Sequence, residues 1–203
     1  MDQAALITAF VTLFVVIDPI GMAPLFVALT HGSDAAHRRA VGVRASIIAA
    51  SVLMGFGIFG EALLGFVGIT MPAFRIAGGI LLFLTALDML FERRTKRRSD
   101  QAEDRPDPSV FPLAVPLIAG PGAIATMILL VGQARDLAGV VAVHLVMVAV
   151  IACALVLFLA AGVLEKILGR TGINVVTRLL GMLLAALAVQ FVLDGLRDYG
   201  LVA

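Results

Sequence analysis

The sequence is poor in the residues that build disulfide bonds, metal sites and nucleophilic active sites. It has one cysteine, Cys153, so neither a disulfide within the chain nor a cluster of thiolate ligands is possible. Its three histidines, at positions 31, 37 and 144, are scattered and have no cysteine or carboxylate partners at metal-ligand spacing. No nucleophile and base fall into the spacing of a catalytic set. We therefore predict no enzyme activity, no catalytic residues, no cofactor and no metal.

Charged residues are also scarce. They make up 14% of the chain, against 61% hydrophobic residues, and the mean hydropathy is +1.08. This composition lies far outside that of soluble domains and predicts that the lipid bilayer is the solvent. The net charge of +1 gives no indication of a nucleic-acid partner. The N-terminus has no basic region and no cleavage pattern follows, so we expect the first helix to be retained.

Six apolar segments are long enough to cross a membrane as helices. They are Ala4–Thr30, Ala40–Gly60, Pro72–Phe91, Val110–Gly132, Leu137–Leu164 and Val175–Leu193. We predict an all-α polytopic membrane protein with six transmembrane helices, forming a single integral membrane domain over residues 1–203. Twelve basic residues lie at or near the loops after the first, third and fifth helices, and three on the opposite side. This bias places those loops in the cytoplasm and both termini outside, in the periplasm if the membrane is a bacterial inner membrane.

Two helix-breaking motifs interrupt the first and fourth apolar segments near their centres. They are DPIGMAP at 18–24 and GPG at 120–122. Proline and glycine free backbone groups that hydrocarbon cannot satisfy, so a break of this kind survives only where protein or a water-filled cavity supplies partners. A pair of breaks predicts two walls of one cavity.

The two halves of the chain also resemble each other. Arg75 and Arg178 each precede a glycine by three residues and then a leucine-rich run, at an offset of 103, and Pro19 matches Pro121 at 102. Three helices per unit force the second unit to insert upside down. We therefore predict a 3+3 inverted-topology repeat: repeat one 1–92, a cytoplasmic linker 93–109, and repeat two 110–203.

The breaks have the chemistry of helix starts. Asp is a good N-cap and Pro is favoured at the first helical position, so Asp18-Pro19 and Gly120-Pro121 each predict a half-helix whose positive end suits a carboxylate. Asp18 could equally act only as an N-cap, and the glycines could serve helix packing. The predicted substrate-binding residues are Asp18, Pro19, Gly21, Gly120, Pro121, Gly122, Ala123 and Thr126.

Two further polar residues fall at lipid depth. Asp88 and Gln190 are candidates, with Asp18, for a polar cavity or for coupling. The alternative for Asp88 is a place at the cytoplasmic interface beside the basic loop. Gln190 could instead bridge two helices.

Several segments are similar to signature stretches of the MarC family of bacterial integral membrane proteins: VIDPIGMAPLFVALT, FRIAGGILLFLTALDML, PLAVPLIAGPGAIATMILL and GMLLAALAVQFVLDGL. The resemblance covers most of the chain. It implies an inner-membrane, transport-type protein related to six-span transporters of small neutral amino acids. Asp18 departs from the asparagine expected in many relatives, and a titratable group there bears on proton coupling.

Residues and resemblance together predict a secondary transporter for a small neutral or zwitterionic solute such as glycine or alanine, with a proton or sodium ion as candidate coupling ion. No nucleotide-binding loop is present to drive transport directly. A passive channel or exporter for small solutes is the alternative, and a membrane protein without transport activity is a third. Glycine-rich helices leave room for a homo-oligomer.

Overall fold

The computed structural model describes residues 3–91 and 107–201, and in these ranges the chain forms helices and turns without any strand. The elements are α1 (Gln3–Ile17), α2 (Pro19–Leu29), α3 (Ala35–Val67), α4 (Met71–Leu90), α5 (Ser109–Ile118), α6 (Pro121–Gly132), α7 (Leu137–Leu159) and α8 (Ala161–Asp198). The predicted all-helical fold is thus confirmed. Most of the linker predicted at 93–109 lies outside the described residues.

Five helical stretches in the described ranges are long and apolar enough to cross a membrane, and a bent pair makes a sixth candidate. The α1–α2 pair counts as one span of 27 residues, Gln3–Leu29, and the bent pair is α5 with α6. The spans match the six predicted segments, although α3 is longer than expected, at 33 residues. α8 is also longer because it begins at Ala161 and continues past a kink at Gly169.

The α1–α2 span lies at the centre of the bundle. In its most apolar stretch of 18 residues, 50% is buried, against 28% in the corresponding stretch of each of the other four spans. Phe26 of α2 stacks on Phe158 of α7 with ring centroids 5.1 Å apart. The element that carries the first break is therefore more enclosed by protein than the other four spans are.

The longest helix contact joins α4 to α8 through glycines. A Cβ at Gly79 would lie 2.8 Å from the Ala188 carbonyl oxygen and 3.0 Å from the Val192 nitrogen. From the other side, a Cβ at Gly181 would lie 3.3 Å from the Ala86 carbonyl oxygen and 3.0 Å from Met89 Cβ. Residue numbers rise along α4 as they fall along α8, so the two helices are antiparallel. Glycine lets their backbones approach closely.

Most of the remaining contacts join helices of the first half to helices of the second. Three of them are matched between the halves: the contact of α3 with α6 corresponds to that of α7 with α2, α4 with α6 to α8 with α2, and α3 with α5 to α7 with α1. Two ion pairs also join the halves: Arg75 of α4 pairs with Asp198 at the end of α8, and Arg44 of α3 pairs with Asp107 before α5. The inverted orientation of the halves and the location of the termini stay predictions.

Candidate functional site

The first break is a single residue, Asp18. Its φ of 55° and ψ of 59° place it in the left-handed region, which Asp and Asn tolerate better than most side chains do. α1 ends one residue before it and α2 begins one residue after it, with Pro19 as the first helical residue. The Gly21 N–H donates to Asp18 Oδ1 at 3.1 Å. The predicted N-cap is confirmed, and its side chain is fully buried, at 0% exposure.

The Asp18 cap leaves no space for a side chain at position 21. A Cβ built at Gly21 would overlap the carboxylate of Asp18. The carboxylate therefore occupies the space that a side chain at position 21 would need, and any larger residue must displace it.

The second break is built without a side-chain cap. α6 begins at Pro121, with Gly120 as an N-cap that offers no side-chain hydrogen bond, and α5 and α6 meet at an angle of 54°. Before it, α5 makes wide turns: the Ala119 N–H donates to the carbonyl oxygen of Ala114 at 2.8 Å. A Cβ at Gly120 would overlap the carbonyl oxygen of Pro116. The predicted helix start is confirmed here too.

The two breaks lie against each other. A Cβ at Gly122, in the first turn of α6, would lie 3.2 Å from Val16 Cγ1, in the last turn of α1. The same position lies 3.4 Å from Leu82 Cδ2 and 3.7 Å from Thr85 Oγ1 of α4. The start of α6 is thus enclosed by α1 and α4, and the two half-helices begin in one region of the bundle.

The predicted site residues are brought together to different degrees. Asp18, Pro19, Gly122, Ala123 and Thr126 are buried at the two breaks, whereas Gly21 and Gly120 are partly buried and Pro121 is exposed. The Thr126 hydroxyl donates to the Gly122 carbonyl oxygen at 2.8 Å. Its proton is therefore used within α6, and only its oxygen lone pairs are left for a ligand.

Asp88 and Gln190 lie elsewhere. Asp88 is partly buried in the last turn of α4. Gln190 is exposed on α8, where its Nε2 donates to Asp194 Oδ1 at 2.8 Å. The structure does not place either side chain in the buried contact between the breaks.

Two buried polar groups lie outside the predicted site residues. His144 is the one histidine at lipid depth in the sequence, and its place near the end of the fifth segment favours the membrane interface; it lies two turns inside α7, and its Nε2 is buried without a hydrogen-bond partner among the described residues. Thr12 is fully buried on α1, one turn before Val16, and its Oγ1 likewise has no partner there. Only Thr12 escaped the sequence reasoning, and a search for every polar residue inside the apolar segments would have found it, because such residues in membrane helices usually face the bundle interior.

An all-helical bundle with five or six candidate spans and two helix starts inside apolar segments defines a polytopic α-helical membrane protein organised around interrupted helices. The start of α6 has no side-chain cap and offers N–H groups and a positive dipole end, whereas the start of α2 carries the buried Asp18 carboxylate that accepts from the Gly21 N–H.

The chain belongs to the MarC family: the model described as "MarC family integral membrane protein" matches residues 3–199. A membrane protein of Aquifex aeolicus named UPF0056 is 38% identical over 95% of this chain and 92% of its own length. The inner membrane protein YhgN of Escherichia coli, of the same UPF0056 group, is 35% identical over 95% of this chain and 96% of its own. No solved structure matches. These names describe a membrane location and specify no solute.

Proposed function

We propose that this protein is a secondary transporter of a small neutral or zwitterionic solute, such as glycine or alanine, in a bacterial inner membrane. One observation carries the proposal: α2 and α6 begin at two breaks that touch through the buried residues Val16 and Gly122. Broken helices whose half-helix starts converge inside the bundle are a recurrent design of transporter sites. The inner-membrane location follows the name of the E. coli relative.

The packing of the helices supports the inverted repeat. Three contacts are matched when helices α1–α4 are exchanged with α5–α8: α3 with α6 and α7 with α2, α4 with α6 and α8 with α2, and α3 with α5 and α7 with α1. The antiparallel contact of α4 with α8 joins the corresponding last helices of the two halves, as a two-fold axis between them requires. A pseudo-two-fold axis in the membrane plane relates the halves in this proposal.

The chemistry of the breaks suits an amino acid. The N–H groups and positive dipole end at the uncapped start of α6 attract a carboxylate, and the Asp18 carboxylate at the start of α2 or nearby carbonyls accept from an ammonium group. The buried walls beside them are small, with Ala123 and Gly122 on α6. Small walls favour a solute with a short side chain.

A passive channel is the second candidate. Both helix starts have the same sign of dipole, which the Asp18 carboxylate offsets at α2, and the uncapped positive end of α6 repels cations while it passes neutral solutes. Flux in a channel follows the solute gradient alone.

Uptake into liposomes tests both functions. Purified protein should accumulate labelled glycine or alanine above the equilibrium level when a proton or sodium gradient is imposed. For any Gly→Ala variant tested in this assay, Gly55→Ala is the matched control, because it adds the same methyl group to a helix at a position where a Cβ meets nothing within 4 Å. Flux that ignores imposed ion gradients favours the channel. An absence of flux across a broad amino-acid panel rejects both.

A further inference from the structure

We propose that His144 is the proton carrier of the transport cycle. The inference rests on the proposed function and deepens it, because it names the coupling ion as a proton and the residue that binds it.

The hydrogen bond of the His144 ring indicates which tautomer the neutral ring adopts. Nδ1 lies 2.8 Å from the carbonyl oxygen of Val140, one turn earlier on α7. A carbonyl oxygen only accepts, so Nδ1 carries a proton, and the neutral ring has its lone pair on Nε2. Nε2 is buried and has no hydrogen-bond partner among the described residues. In the neutral ring this lone pair is therefore directed into the bundle.

Gly57 of α3 makes room for that nitrogen. A Cβ at Gly57 would lie 2.7 Å from His144 Nε2 and 3.1 Å from Met127 Cε of α6. The lone pair therefore lies at the junction of α3, α6 and α7. Met127 is six residues beyond Pro121, about 9 Å along α6 at 1.5 Å per residue. His144 consequently lies between the two breaks and the turn from α6 to α7.

The neighbouring helices supply few charges to this region. Of the helices packed on α7, α6 has no ionisable residue and α1 with α2 contributes only Asp18 at their junction. On α3 the nearest ionisable side chain along the helix is Glu61, exposed and one turn beyond Gly57, while His37, Arg38, Arg39 and Arg44 lie toward the other end. α8 meets α7 at the turn near Ala160, beside Glu165 and Lys166, about 24 Å along α7 from His144. Arg135 and Asp136 are exposed in the turn from α6 to α7, directly before α7. None of these charged side chains is a hydrogen-bond partner of His144 Nε2.

The proton step is simple. Nε2 accepts one proton from the side of the α6–α7 turn and becomes an imidazolium, with the Nδ1 bond to Val140 kept. Release of the same proton on the other side of the breaks regenerates the neutral ring. An ionisable group inside a membrane bundle is the usual device for such a relay.

His144→Asn separates this role from a structural one. The asparagine amide N–H replaces Nδ1–H as donor to Val140, but the side chain cannot take a proton. In liposomes we expect this variant to keep the exchange of labelled for unlabelled solute without a gradient and to lose proton-driven accumulation. His31→Asn and His37→Asn, in the loop after α2 and at the start of α3, are matched controls and should accumulate solute normally.

The outcomes distinguish the two proposals. If the wild-type protein shows no exchange, the proposed function fails. If it exchanges solute but His144→Asn still accumulates it on a proton gradient, or if only sodium drives accumulation, the role of His144 is wrong and the transporter stands.

A second measurement covers the case in which His144→Asn does not fold. Gly57→Ala should displace Nε2 and weaken proton-driven accumulation, whereas Gly55→Ala should not. Nitrogen NMR of ¹⁵N-histidine-labelled wild-type protein, compared with His144→Asn or the double variant at positions 31 and 37, should find the Nδ1–H tautomer and a protonation of Nε2 that changes with pH. A ring that stays in one protonation state from about pH 5 to about pH 9, with and without solute, would overturn the inference.

Discussion

The two breaks perform one task with different chemistry. At Asp18 a single left-handed residue ends one helix and caps the next with its own carboxylate, and Gln3–Leu29 continues as one span. At Gly120 the chain turns by 54° after a stretch of wide turns, and no side chain caps α6. One break depends on a functional group and the other on backbone shape.

This difference decides how each break can be altered. A side-chain cap can be changed chemically while the backbone keeps its course, so charge and geometry can be tested separately at Asp18. The Gly120 break offers no group to change, and only added volume can perturb it. The expected effects therefore differ in size as well as in kind.

Gly120→Ala should have the largest effect. The new Cβ would overlap the carbonyl oxygen of Pro116, a backbone atom that cannot rotate away, and the cost should be about 3 kcal/mol, at the upper end of overpacking. We expect a lower thermal unfolding midpoint in detergent and little uptake. Gly162→Ala, where a Cβ meets nothing within 4 Å, is the control. Equal unfolding midpoints for Gly120→Ala and Gly162→Ala would show that the second break accommodates a Cβ as readily as an exposed helix position does.

Asp18→Ala should come next. It removes the bond from the Gly21 N–H and puts alanine in a left-handed conformation, for a loss of about 1–2 kcal/mol in the free energy of unfolding. Asp18→Asn keeps an acceptor for the cap and tolerates the conformation, so its stability should stay near that of the wild type.

The asparagine variant then isolates the charge. If Asp18→Asn inserts and unfolds normally but loses uptake, the carboxylate acts on the solute or on coupling. Uptake equal to that of the wild type would reduce Asp18 to an N-cap.

Thr126→Val should have a smaller effect. It removes the hydroxyl that donates to the Gly122 carbonyl oxygen, for a loss of about 1 kcal/mol. Thr30→Val removes an equivalent buried bond, from Thr30 Oγ1 to the Phe26 carbonyl oxygen at 2.7 Å, at the far end of α2. We expect both variants to lose similar stability and only Thr126→Val to raise the KM for uptake. A matching rise in Thr30→Val would remove Thr126 from the site.

Loss of the ion pair between Arg44 and Asp107, directly before α5, should have the smallest effect on stability. Hydrogen bonding by Ser109, together with the Arg44 guanidinium, holds the pKa of Asp107 below its ordinary value of 3.8. A lowered pKa contributes stability that is present above the ordinary value and is lost as pH falls through the lowered one. Because the pair is exposed, the loss should be below about 1 kcal/mol.

A pH series of unfolding measurements on wild type and Asp107→Asn tests this. The two curves should differ at neutral pH and converge below pH 3.8. A constant difference across the series would contradict the expected linkage.

Local chemistry made both breaks predictable, whereas contacts between distant parts of the chain could not be predicted. The N-cap at Asp18 involves residues three positions apart, and the proline at the start of α6 is equally local, so both could be predicted from sequence. The contact of Val16 with Gly122 and that of Gly57 with His144 join distant parts of the chain. Nothing in the spacing of those residues indicates them.

Gln190 illustrates the same difficulty. α8 is apolar on most sides along its span, so hydrophobicity does not mark which face turns inward. Its rotation is fixed by Gly181 and Gly195 against α4, and this leaves Gln190 on the exposed side. Polarity alone could not have placed it.

The glycine contact between α4 and α8 also has a consequence for biosynthesis. α4 is complete at Leu90, but its main partner ends at Asp198, so the ribosome must add about 108 residues before the pair can close. At 5–20 residues per second this is a delay of about 5–20 s. During that interval the face of α4 at Gly79 and Met89 lacks the helix that it packs against. Chains released before α8 is finished therefore leave this face uncovered and should be cleared by proteases.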